Sequence, residues 1–191
     1  MAITIKNSNG GGVSLTGGTS GSITTVDASQ PIYRSGSVVQ EVFHMTDEVK
    51  SWADSTYIDL GSNFHGTITP VYADSKIKVE INMSYVALTS NSSALFALYN
   101  HTLGTFINRP NFNSNSSGIE DYEISQRYAD GGYFIGTQSI HSFFTAGTTN
   151  AVTVALYGKM ESGTAYINTN WTGSTMNHRG IYSITLKEIK V

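Results

Sequence analysis

From Asp130 to Val191 the sequence runs as strand-like stretches of alternating side chains, separated by turn-rich loops. Gly132 to Gly136 leads into Ser139 to Phe144, and Thr145 to Asn150 reads as a loop. In Ala151 to Tyr157, Val152, Val154 and Leu156 fall on one side, and Thr153 and Ala155 on the other. In the closing run Tyr182, Ile184 and Leu186 share a face opposite Ser183, Thr185 and Lys187. Successive side chains of a strand point to opposite faces, so a period of two predicts strands with one buried face. So regular a final strand is expected to lie inside a sheet, paired on both edges.

Upstream, Lys76 to Leu88 is the longest alternating run. It predicts a strand with Ile77, Val79, Ile81, Met83, Tyr85 and Ala87 on one face and a wet face opposite. Ala94 to Tyr99 follows a Ser/Asn turn, as the second arm of a hairpin would. Ser37 to Met45, Tyr57 to Leu60 and His65 to Val71 read as further strands, and Thr46 to Trp52 as a short helical turn with Thr46 as N-cap. That turn would place Val49 and Trp52 on one side. Ile119 to Arg127 fits neither period. Short strands about ten residues apart predict an antiparallel all-β sandwich or jelly roll over residues 37–191. A fixed repeat, as in a propeller or repetitive shaft, is lacking.

Residues 1–36 differ in kind. Half are Gly, Ser or Thr, with apolar islands at Ile3 and Ile5, Val13 and Leu15, and Ile23 and Val26. Glycine-rich backbone loses much entropy on ordering, and these islands offer little apolar surface to offset it. The segment is therefore expected to be an extended arm whose six apolar residues dock on a partner by adding short strands to an exposed edge. The competing reading is a tail packed on its own domain.

Charge and composition narrow the function classes. The net charge of −3 with scattered Lys and Arg gives no footprint for nucleic acid. The absence of cysteine excludes disulfides, thiol catalysis and cysteine-ligated zinc. No apolar run is long enough for a membrane span, and the N-terminus lacks the pattern of a signal peptide, so a soluble product made in the cytoplasm is expected. The histidines at 44, 65, 101, 141 and 178 show no paired ligand spacing, and no metal or cofactor is expected from them. Glu120, Asp121 and Glu123 read as solvated loop charges rather than a glycosidase pair or calcium loop. No nucleophile elbow or phosphate loop occurs, so no catalytic residue is assigned. Trp171 is the residue best suited to stack on a sugar, although packing over a sandwich end is the commoner use of such a side chain.

Gln138 to Phe144, Thr153 to Met160, Gly163 to Asn168 and Ser183 to Ile189 together resemble the virion structural proteins of tailed phages, cyanophages especially. The globular part of these proteins is a C1q/TNF-like jelly roll. The resemblance covers about the last 60 residues; the N-terminal segment matches only in its Gly/Ser/Thr-rich style. It implies a non-enzymatic homotrimer in the virion, assembled in the host cytoplasm, and it brings no catalytic residues across. A decoration or cement protein binding the major capsid protein through its arm is the first expectation. A tail fibre or receptor-binding head, contacting glycan through Asn108 to Gly118 and Asn168 to Met176, is the second.

Overall fold

The computed structural model describes residues 5–6, 12–13, 33–88, 92–107, 123–129, 134–169 and 180–191. The chain divides into two compact units, Met1–Arg34 and Ser35–Val191. In the first, β1 (Ile5–Lys6) pairs antiparallel with β2 (Gly12–Val13), with Ile5 opposite Val13.

The second unit is all-β apart from one 3-10 turn, Ser62–Phe64, among the described residues. Its strands are β3 (Val38–Thr46), β4 (Lys50–Trp52), β5 (Ile58–Asp59), β6 (His65–Ile68), β7 (Lys76–Leu88) and β8 (Ser92–Asn100). They continue with β9 (Thr105–Phe106), β10 (Glu123–Ala129), β11 (Phe134–Thr145), β12 (Val152–Met160), β13 (Ala165–Ile167) and β14 (Tyr182–Ile189). All pairs are antiparallel and form two six-stranded sheets. In one, β7 carries β11 on one edge and β14 then β13 on the other, with β3 and β4 outside them. In the other, β12 and β8 lie side by side; β6 and β5 share the free edge of β12, and β10 and β9 that of β8.

The sheets pack face to face as a sandwich. Ile77, Val79, Ile81, Tyr182, Ile184 and Leu186 of one meet Ile68, Phe96, Leu98, Val152, Val154 and Leu156 of the other in a single core. Each such side chain contributes about 1.5–3 kcal/mol on burial. Two glycines permit the close approach. A Cβ on Gly66 would lie 3.1 Å from Ile184 Cδ1, and one on Gly158 would lie 2.8 Å from the Trp52 ring.

The expected final strand is borne out: β14 lies between β3 and β7 with every second residue buried. Three other expectations need correction. The single alternation expected along all of β7 does not hold. Ser84 and Tyr85 together oppose Thr137 of β11, a bulge that shifts the inward set from Ile77, Val79, Ile81 and Met83 to Val86 and Leu88. At this bulge β7 changes partner from β14 to β13. Nor do β7 and β8 form a hairpin; they belong to different sheets. Finally, Thr46 to Trp52 is not helical. Thr46 Oγ1 accepts from the Glu48 N–H at 3.1 Å, a hydroxyl turn that competes with helix. Lys50–Trp52 then pairs with β13, and Asn168 Nδ2 donates to the Thr46 and Glu48 carbonyls at 3.2 and 2.9 Å. Trp52 is buried and Val49 exposed, on account of the strand geometry.

Candidate functional site

Among the described residues, a grouping of three metal-competent side chains lies on the outer face of the β12 sheet. Asp59 ends β5; a tight connection through Gly61, at φ 111°, and the 3-10 turn Ser62–Phe64 leads to His65 at the start of β6. Both strands pair with β12, Asp59 opposite Tyr157 and His65 opposite Ala155. His101 follows β8, its N–H donating to the Thr153 carbonyl at 2.9 Å. Because Tyr99 also pairs with Ala155, the small side chain of Ala155 forms the floor between the two histidine-bearing segments.

Asp59 Oδ1 accepts from the Gly61 N–H at 2.8 Å and lies 2.8 Å from His65 Nε2, while Oδ2 lies 3.0 Å from His101 Nε2. The imidazole rings are 5.0 Å apart at 39°. Burial by itself would raise the Asp59 carboxyl. The His65 and Gly61 hydrogen bonds and the fields of both imidazoles outweigh it and hold the group below its ordinary value. Tyr99 stacks on Tyr157 at 4.8 Å, and Phe106 stands edge-on to both. Burial, then Asp59 and Tyr99, push the Tyr157 hydroxyl up. Lys159 Nζ sits 5.6 Å from the Tyr57 ring centre, at the margin of this aromatic wall.

The outer face of the other sheet carries a charge network beside exposed apolar side chains. Glu80 contacts Lys78 at 2.8 Å and Lys187 at 2.9 Å, which hold its carboxyl at about 2, and Glu41 reaches Lys187 at 3.5 Å. His141 lies 3.9 Å from Glu80. Phe43 and Met45, on the outward side of β3, are 59% and 55% exposed. They stand opposite Thr185 and Ser183 of β14.

Of the residues singled out from sequence, Ile3, Leu15, Ile23, Val26 and Trp171 lie outside the described residues, as do Glu120, Asp121 and His178. Ile5 and Val13 are partners in the β1–β2 pair, and Glu123 begins β10. His44 Nε2 contacts the Asn63 carbonyl at 3.0 Å. Sequence reasoning missed the Asp59, His65 and His101 grouping because no spacing rule relates residues joined through a third strand.

No protein-family model matches the sequence, and no curated protein matches it. Among solved structures, the chain is similar to the infectious bursal disease virus VP2 subviral particle at 12% identity and a TM-score of 0.36. The match covers 81% of this chain and 39% of that one, so this chain spans well under half its length. A likeness that distant carries no functional argument. The tailed-phage and C1q/TNF-like assignments gain no support from these comparisons.

Proposed function

We propose that this chain is a virion structural protein, a homotrimeric jelly-roll head that decorates the phage capsid. Its N-terminal arm would grip neighbouring major capsid subunits. The observation that carries this reading is the strand order. With the short strands set aside, β3-β14-β7-β11 faces β6-β12-β8-β10, the order in which a chain winds through two Greek keys into a jelly roll. Viral capsid domains are among the recurrent users of that architecture. Phe43 and Met45 favour self-association, since large apolar side chains side by side on a sheet face are the kind that a partner copy covers. The Gly/Ser/Thr-rich arm suits gripping: several weak edge contacts joined in one trimer gain avidity that no single contact supplies.

Counting copies per particle tests the role. Hundreds fit decoration, whereas a handful would assign the chain to a tail fibre or receptor-binding head. Deleting residues 1–36 is expected to abolish capsid binding and to leave a folded trimer by light scattering. Unchanged capsid binding would remove the arm from the mechanism.

A further inference from the structure

We propose that Asp59, His65 and His101 bind a single divalent transition-metal ion, Zn2+ by ligand chemistry, with a fourth coordination position open to solvent. Each residue offers one ligand atom, and these atoms all lie within 4.8 Å of one another. In a tetrahedral zinc site with bonds of about 2.0–2.1 Å, neighbouring ligand atoms stand roughly 3.3 Å apart. Asp59 bridges the two imidazoles, Oδ1 lying 2.8 Å from His65 Nε2 and Oδ2 3.0 Å from His101 Nε2, so small rotations of the three side chains would bring one donor atom from each around an ion. Two imidazoles and a carboxylate suit zinc, copper or nickel, whereas magnesium and calcium require shells of oxygen.

The surroundings meet the further needs of such a site. The Gly61 N–H anchors Asp59 Oδ1 and limits rotation of the carboxylate, the kind of outer support that metal ligands commonly have. Ala155 leaves room between the ligand-bearing segments, and Tyr99 and Tyr157 wall one side. Side-chain exposure rises from 17% at His65 to 31% at Asp59 and 37% at His101, which gives an ion a path in from the His101 side. Three protein ligands leave one position for water or for a donor from an adjoining molecule. The ligands come from β5, β6 and the turn after β8, so a bound ion would clip both edges of this sheet region onto β12. Binding to the folded form alone adds stability that grows with free ion concentration.

The test uses the full chain without an added histidine tag. Titration with Co2+ is expected to give visible d–d bands that saturate at one equivalent and that Zn2+ displaces. Zn2+ should raise the melting temperature, and EDTA should reverse the rise. His101→Gln, at an exposed position that the fold tolerates, and Asp59→Asn should each weaken binding by at least about tenfold. The proposal is overturned if Co2+ gives no band and Zn2+ leaves the melting temperature unchanged, because the grouping is then a hydrogen-bonded cluster only. It is equally overturned if His101→Gln keeps the wild-type band and affinity, which would place the ion elsewhere.

Discussion

Tyr182 and Phe64 hold each other twice: their rings meet edge to face at 5.0 Å, and Tyr182 Oη donates to the Phe64 carbonyl at 3.0 Å. Tyr182 opens β14 in one sheet, and Phe64 closes the turn that delivers His65 to the other. Both side chains are fully buried, and burial pushes the Tyr182 hydroxyl far above the usual phenol range, so it stays a donor at any ordinary pH. One side chain thereby joins the sheets and fixes the corner beneath Asp59 and His65.

Tyr182→Phe keeps the ring and removes the donor, leaving a buried carbonyl unpaired. A loss of about 1–3 kcal/mol is expected. Urea denaturation should show a lower midpoint at an unchanged m-value, since the folded shape is kept.

Gly158→Ala should cost about 1–3 kcal/mol, because its methyl would press into the rigid Trp52 ring at 2.8–2.9 Å. Gly66→Ala meets the flexible aliphatic side chains of Ile184 and Leu186 at the longer distances of 3.1–3.3 Å and should cost less. Thermal melts compare the two, and a shift in tryptophan emission is expected for Gly158→Ala alone.

Asn168 is buried at φ 63° and donates to two loop carbonyls. Asn168→Gly tolerates the backbone and loses the hydrogen bonds, whereas Asn168→Ala loses them and adds about 1–2 kcal/mol of left-handed strain. Alanine should therefore be the more damaging change in chemical denaturation, although its side chain is the closer in size.

Glu188 continues the inward phase of β14, where Tyr182, Ile184 and Leu186 precede it. Its carboxylate accepts from Gln40 Nε2 at 2.7 Å and from the Val71 and Tyr72 N–H groups at 2.9 Å. Burial acts to raise this carboxyl, but these donors, with the nearby Ser75 hydroxyl, outweigh it and hold it below its ordinary value. A depressed folded pKa adds stability that is complete above the unfolded value and lost as pH falls through the folded one. Wild-type stability should thus decline from about pH 5 downward more steeply than that of Glu188→Gln. At neutral pH the variant should be about 2–3 kcal/mol less stable, the order of charge-assisted hydrogen bonds.

Glu80 gives the contrasting case. Its carboxyl is held at about 2 by Lys78 first and Lys187 second, but the pairs sit at the surface. Glu80→Gln should change stability at neutral pH by no more than about 1 kcal/mol, since solvent screens such pairs. Carboxyl NMR titration would give the pKa directly.

How much of this was readable in advance follows from what parity can and cannot see. The inward sets of β12 and β14 follow from alternation, and the buried Glu188 sits in the same phase as Leu186. The β7 phase failed because a bulge adds a residue without any sequence signal at Ser84 or Tyr85. The Thr46 to Trp52 helix failed because Asn168, more than a hundred residues away, claims the carbonyls of that loop.

Side-chain direction along a strand depends only on whether a position is odd or even, so composition and alternation were enough to specify an antiparallel all-β domain and much of its core. Partner choice is another matter. It is settled by hydrogen bonds between segments far apart in the chain, and only folding could send β7 and β8 to different sheets. The same long-range register, read across β12, sets two histidines and an aspartate around one point.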